Sequence, residues 1–312
     1  MNLSQAGILA PLPSSGRYIF FSIAGDTQAL RSALARLQTM VDGRSAVVGM
    51  GPQLMAALGC EISCLREFPA LQGTEFSTPS TPEALCIWLR GPGRGEVLTQ
   101  TRELLKALRP AFAVRHIVDS FLHQLGESGH GRDLTGYEDG TENPQDEDAS
   151  AAALCADLSD GLNGGSCWVL QKWEHDFSTF ERMATHEQDN AMGRRRSDNE
   201  ELEDAPESAH VKRTAQEDFE PEAFLVRRSM PWWSVSPQAE DHCGLMFSAF
   251  GHRFDAFEAQ MHRMLGLDDG ISDALFKFSK PLTGCYLWCP PMRDGKLDLR
   301  QLGELTVPKS AG

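Results

Sequence analysis

The chain has 312 residues, 41% of them apolar and 23% charged, which allows a sizeable core in one large domain or two and excludes global disorder. A formal net charge of -15 argues against nonspecific binding to nucleic acid or an anionic membrane, since phosphate would repel it. No apolar run approaches the ~18 residues of a membrane span, and Met1-Asn2-Leu3-Ser4-Gln5 lacks the basic start and apolar stretch of a signal peptide.

The eight cysteines show no Cys-x-x-Cys; Cys60/Cys64 and Cys285/Cys289 are each four apart, which is not a zinc framework. Cys86, Cys167 and Cys285 lie in apolar runs, where a thiol behaves as a small hydrophobe. They read as reduced, and a cytoplasmic location is expected. Arg194-Arg195-Arg196 is a basic run, but acids follow it at 198, 200, 201, 203 and 204, so most of it reads as a solvated mixed-charge segment.

In chain order, residues 18–24 form a β-rich run. Asp26 or Thr27 caps a helix with Leu30, Leu34, Leu37 and Val41 inward, ending at Gly43. A strand at 46–48, a proline-started helix at 52–58, a strand at 85–89, a helix at 97–108 and a strand at 111–118 complete the first half. The second half repeats this grammar. Strands are expected at 167–173, 224–228, 245–250 and 285–288, and helices at 177–183, 253–265 and 272–278. Phe254, Phe257, Met261 and Met264 make one helical stripe that reads as core. The repeated order predicts two α+β units of similar plan. Two loop-like stretches, 126–150 and 194–222, are long enough to be functional.

The first loop carries Gly136-Tyr137-Glu138-Asp139-Gly140-Thr141-Glu142-Asn143-Pro144, in which two glycines let the backbone turn and present one carboxylate. By itself this is an ordinary acidic turn. The second loop carries Ser208-Ala209-His210, and a lone histidine is usually structural. Arg227 and Arg228 follow on a strand, where alternation sends them to opposite faces. The inward one needs an anionic partner, either a protein carboxylate or a haem propionate. An iron needs one strong protein ligand, commonly a neutral imidazole, so these residues permit a haem site.

Six segments in order resemble the dye-decolourising peroxidases, closest to the bacterial B-type group. They are Gly136-x-x-Asp139-Gly140, Trp173-Glu174-His175, Met192-Gly193-Arg194, Ser208-Ala209-His210, Val226-Arg227-x-Ser229-Met230-Pro231 and Phe278-x-Lys280-Pro281-x-Thr283-Gly284. The resemblance spans roughly residues 5 to 292. It implies an α+β fold of two duplicated ferredoxin-like halves with haem in the C-terminal half. The expected division is 1–125, a connecting loop at 126–165, and 166–312. It also implies one haem b per chain with His210 as its iron ligand, and Asp139 and Arg227 on the distal face. Asp273 is a candidate hydrogen-bond acceptor for His210, or else a helix-start acid. Arg194 is a candidate propionate partner and Phe247 a candidate pocket wall or core residue. Many B-type relatives have Asn where this chain has Ser229, whose shorter side chain is expected to act through water.

The implied reaction reduces hydrogen peroxide and oxidises small organic donors or dyes. Asp139 would move a proton and Arg227 would stabilise the leaving oxygen. The alternative is haem binding or iron recovery with incidental peroxidase activity. Trp232 and Trp233 read as an aromatic packing pair, with electron relay the second reading. No nucleic-acid or membrane partner is expected. A homo-oligomer is, and the C-terminal tail makes encapsulin nanocompartment cargo a further expectation of the resemblance.

Overall fold

Along β1 (Ser15–Ile23) the four side chains from Tyr18 to Phe21 are all buried, so this strand has apolar cover on both faces. Alternation divides them: Tyr18 and Phe20 join one core, Ile19 and Phe21 another. The structure is a computed structural model that describes residues 3–156, 158, 161–235 and 241–305.

After β1, the Asp26 carboxylate accepts from Ala29 N at 2.8 Å and starts α1 (Thr27–Met40). Next come β2 (Ala46–Met50) and α2 (Pro52–Leu58), which stops at Gly59 with φ 68°. A small ribbon of β3 (Leu71–Gln72) and β4 (Ser77–Thr78) precedes β5 (Leu85–Gly91), α3 (Arg94–Leu108) and β6 (Phe112–Phe121). The main strands pair antiparallel in the order β6-β1-β5-β2. Leu30, Leu34 and Leu37 of α1 and Leu104 and Leu108 of α3 cover one face of this sheet. This is the β-α-β-β-α-β plan of a ferredoxin-like unit.

The second half runs α4 (Asp146–Ala153), β7 (Ser166–His175), α5 (Phe177–Arg182), α6 (Thr185–Met192) and α7 (His210–Arg213). It continues with β8 (Val226–Arg227), β9 (Met230–Val235), β10 (Asp241–Gly251) and α8 (Asp255–Met264). The strands β11 (Ser279–Pro281), β12 (Cys285–Cys289), β13 (Met292–Arg293) and β14 (Lys296–Leu297) complete it. Its sheet order, β12-β7-β10-β9, repeats that of the first half when the strands of each are counted in turn. The fold is therefore α+β with two ferredoxin-like halves.

The two sheets join edge to edge, at Trp288–Met50 between β12 and β2 and at Ser120–Trp232 between β6 and β9. Eight strands thus close into a ring. Its interior holds Tyr18, Trp88, Trp168 and Phe250, with Tyr18 stacked on Trp88 at 5.6 Å and Trp168 on Phe250 at 5.3 Å. Burying each such side chain contributes roughly 1.5–3 kcal/mol. On the outer face of the second sheet, Phe254, just before α8, and Phe257 and Met261 of α8 pack over Val169, Trp173 and Tyr286.

The structure departs from the expected elements in several places. The strand expected at 224–228 is only Val226–Arg227, although its register with β10 continues: Arg227 faces Ala249 and Met230 faces Met246. The helix expected at 272–278 is a 3-10 turn, Ala274–Lys277. The loop-like stretches hold the start of α4 and all of α7. β9 and α6 were not anticipated. β9 contains Pro231, which is tolerated because β6 meets this strand only at Trp232. α6 lacks an apolar stripe and is defined by its ends, with Glu187 accepting from Ala184 N at 2.8 Å and Gly193 at φ 85°. Among the described residues, no helix is long and apolar enough to cross a membrane.

Candidate active site

Alternation along β7 sends Trp168 and Leu170 into the ring and Cys167, Val169 and Trp173 outward. Gln171 and His175 share that outward parity, and with Trp173 they line a pocket. Every lining residue lies between Asp133 and Ser279, on the C-terminal half and the loop leading to it. The empty space among these residues, with the open solvent at its mouth included, is about 1320 Å³.

His210 opens α7 and lines this pocket. Its Nδ1 lies 2.7 Å from Oδ2 of Asp273, whose carboxylate is buried. The other oxygen, Oδ1, accepts from Leu275 N at 2.8 Å and caps the 3-10 turn. Both readings of Asp273 therefore hold as geometry, one oxygen each. Ala274 N donates to Ser208 O at 2.7 Å, tying the turn to the segment just before His210. With Nδ1 committed to a carboxylate, Nε2 is the nitrogen left for the pocket, and the ring orientation is fixed.

Asp139 and Arg227 meet in the same pocket, with Nε of Arg227 3.9 Å from Oδ1 of Asp139. That distance is an ion pair without a hydrogen bond. Gly136 at φ 93° and Gly140 at φ 85° make the turns that present Asp139. Asn143 then clamps the loop to β8: its Oδ1 accepts from Arg227 N at 2.7 Å and its Nδ2 donates to Arg227 O at 3.0 Å. Gln216 adds a second tie, donating to Glu142 O at 2.7 Å while accepting from Leu225 N at 2.7 Å. Arg228 turns away and donates to the carbonyls of Leu9 and Arg227, so Arg227 is the member of the pair that faces the pocket.

Arg194 lines the pocket with its guanidinium held by Glu142 and, at 3.2 Å, by Glu201. Phe247 also lines it, 5.9 Å from Phe257. Phe257, Met261 and Met264 are core and pocket wall at once, which enlarges the purely structural reading of their stripe. Ser229 is different: it is buried, its hydroxyl has no hydrogen-bond partner, and it is not part of the pocket wall. Trp232 and Trp233 do not form a packing pair, because alternation buries the first and leaves the second 51% exposed.

Several site residues escaped the sequence reading. Gln171 and His175 were detectable as polar side chains at same-face positions of an apolar strand. Burial pushes His175 down to about 4. Asp133, also on the wall, is pushed up to about 6 chiefly by burial. Asn143 and Gln216 act through backbone contacts that no local pattern signals.

A carboxylate-backed imidazole sharing a pocket with a permanently charged guanidinium is the equipment of a peroxidase. The family model described as "Dyp-type peroxidase, C-terminal" matches residues 130–294, more than half of the chain, and the chain belongs to that family. It is 28% identical over 305 residues to the dye-decolorizing peroxidase of Mycobacterium tuberculosis, covering 92% of this chain and 88% of that one. DypB from Rhodococcus jostii RHA1 superposes with a TM-score of 0.80 at 28% identity, covering 91% of this chain and 94% of that one. A variant of the same DypB, solved in complex with heme, gives 0.79 at 27% identity, covering 91% of this chain and 94% of that one. The encapsulated DyP-type peroxidase from Mycobacterium smegmatis shares the fold, with a TM-score of 0.79 at 23% identity, covering 93% of this chain and 96% of that one.

Proposed function

We propose that this chain reduces hydrogen peroxide at a single b-type haem held by His210 and oxidises small organic donors or dyes. The observation that carries this reading is the 2.7 Å contact between His210 Nδ1 and buried Asp273, which commits one ring nitrogen and leaves the other to the pocket. The pocket also fits a haem chemically. Its walls include Phe247, Phe257, Met261 and Met264, suited to a macrocycle, and Gln171 Nε2, His175 Nε2 and Arg227 Nε are buried there without hydrogen-bond partners. Unmet buried polar groups of this kind point to a polar ligand. The alternative of haem carriage alone has no support from the relatives, which are peroxidases by name.

Bound haem supplies the redox centre at which peroxide is reduced. His210 holds it, and Asp273 keeps the imidazole oriented and electron-rich. Arg227 stabilises negative charge developing on the leaving oxygen, while Asp139 moves a proton between the two peroxide oxygens, directly or through water. Arginine keeps its proton, so the division of labour follows from the side chains themselves. Ser229 reaches the site through water, in keeping with its unpartnered hydroxyl. Arg194 takes a propionate, which would replace Glu142 or Glu201 in its fork. Haem titration of the wild type and His210→Ala, followed by steady-state peroxide turnover, tests this assignment. Equal Soret spectra and equal turnover in the two proteins would overturn it.

The proposed division of the chain is 1–125, a loop at 126–165 carrying Asp139, and 166–312. A homo-oligomer completes the reading, in a cytoplasmic location supported by eight cysteines of which none is in a disulfide. Nanocompartment cargo is proposed by analogy with the encapsulated relative. The tail that would carry it lies, from residue 306 onward, outside the described residues. Deleting the residues after Glu304 and finding undiminished co-purification with a shell protein would remove that proposal.

A further inference from the structure

Cys167 lies on β7 four residues before Gln171, with the same outward parity and roughly 13 Å farther along the strand. Two more cysteines reach it from distant segments. Cys155 follows α4, where its N–H donates to Gly165 O at 2.8 Å and fixes it beside the start of β7. Cys64 sits after α2, in a turn where Leu65 N donates to Ile62 O at 2.9 Å. Among the described residues, these three form a group whose sulfur atoms all lie within 4.8 Å of one another. Cys155 and Cys167 are buried, Cys64 is half-buried, and none is in a disulfide. None of them lines the haem pocket.

We propose that Cys64, Cys155 and Cys167 form a binding site for one soft, thiophilic metal ion, with Cu(I) the best match. Three sulfurs about 2.3 Å from a shared ion in a trigonal plane stand about 4 Å apart, a separation inside the 4.8 Å that bounds the observed ones. The group contains no imidazole and no carboxylate. Thiolates alone select soft ions, whereas structural zinc takes four ligands. The cluster that holds Cys167 and packs against Cys64 is apolar, including Val169, Phe254 and Tyr286, which disfavours water as a fourth ligand. Cys155 and Cys167 each donate to His252 O, at 3.4 Å and 3.8 Å, and metal binding would release both thiol protons from that carbonyl. Cys64, being half-buried, gives the ion a way in.

Buried cysteines packed only as small hydrophobes have no reason to converge from three segments. Cys86, Cys285 and Cys289 are buried as well, yet they form no such group. The reading of the cysteines from close sequence spacing could not find this site, since its members are brought together only by the fold.

The test uses haem-loaded, reduced protein under anaerobic conditions, with Cu(I) delivered from a competing chelator. The wild type should retain one equivalent per chain, with an X-ray absorption spectrum fitted by three sulfur scatterers. Loss of an outer-shell partner alone costs about 10–100-fold in metal affinity, so Cys64→Ala should weaken retention by at least about tenfold. Cys60→Ala should retain copper as the wild type does. In the unmutated protein, Cu(I) should also slow alkylation of Cys64, a readout that does not depend on any variant folding. No retained copper, equal retention by Cys64→Ala, nitrogen or oxygen scatterers, or preferential uptake of Zn(II) would each overturn the proposal.

Discussion

One carboxylate links His210 to the turn behind it: Asp273 Oδ2 lies 2.7 Å from His210 Nδ1, while Oδ1 accepts from Leu275 N at 2.8 Å. The two functions separate by substitution. Asp273→Asn keeps a good capping side chain but loses the anion, so peroxide turnover should fall about 10–100-fold with little change in melting temperature. Asp273→Ala should lose the cap as well, costing a further ~0.5–2 kcal/mol in thermal or denaturant unfolding. Equal turnover by wild type and Asp273→Asn would show that the contact is only a cap.

Arg227 and Asp139 share the pocket at 3.9 Å, yet they are not equivalent. Water can replace a carboxylate as proton carrier, but the other guanidinium on the wall, Arg194, is held by Glu142 and Glu201 and is not free to take over the charge of Arg227. Arg227→Ala should lose about 10²–10³ in turnover with haem retained, and Asp139→Ala should lose less at every pH. A larger loss in Asp139→Ala would reverse the roles.

Asn143 holds the distal loop to β8 through two hydrogen bonds to the backbone of Arg227. Asn143→Ala leaves the part-buried Arg227 N–H unpaired, although Arg228 still donates to the Arg227 carbonyl, so unfolding free energy should drop by about 1–3 kcal/mol. Turnover should fall while the Soret spectrum stays put, because the clamp touches the loop and not His210. Unchanged stability would mean that the loop is held elsewhere.

Burial places His175 at about 4, below its ordinary 6.5. Its contribution to stability is fully present above pH 6.5 and is lost as pH falls toward 4, since the unfolded chain takes up the proton first. For this nearly fully buried group the change amounts to about 3 kcal/mol. Melting of the haem-free protein across that window should show the decline, and His175→Gln should flatten it. A parallel decline in both proteins would assign the effect to other groups.

Trp232 donates to Trp173 O at 2.8 Å and lies under Lys172, whereas Trp233 is exposed. Trp173 lines the pocket, so a path from the surface to the site would cross backbone from Trp233 to Trp232, which face opposite sides of β9, and on to Trp173 through its carbonyl. If that path carries electrons, Trp232→Phe and Trp233→Phe should lower turnover of bulky dyes and spare small donors. Undiminished dye turnover in both variants would remove the relay.

Although α1 stops at Met40, short of the expected Gly43, its start and the extent of α2 were legible to the residue, because Asp26 and Pro52 mark helix starts chemically. α6 was not, since its boundary signals surround no apolar stripe. His210, Asp139 and Arg227 were reached through motifs in order along the chain, and the structure brings them to one pocket. Asn143, Gln171 and the three converging cysteines were hidden for a common reason: each depends on contacts between segments far apart in sequence. Ser229, suggested by its position in a motif, has a buried side chain that is not on the pocket wall, which leaves it only a role through water.

The most direct test of the peroxidase reading is stopped-flow absorption of haem-loaded protein mixed with one equivalent of peroxide, beside His210→Ala. Rapid loss of the resting Soret band followed by its return on adding donor, absent in the variant, is the expected result. A Soret band unmoved by peroxide in the wild type, or the same response in His210→Ala, would contradict it.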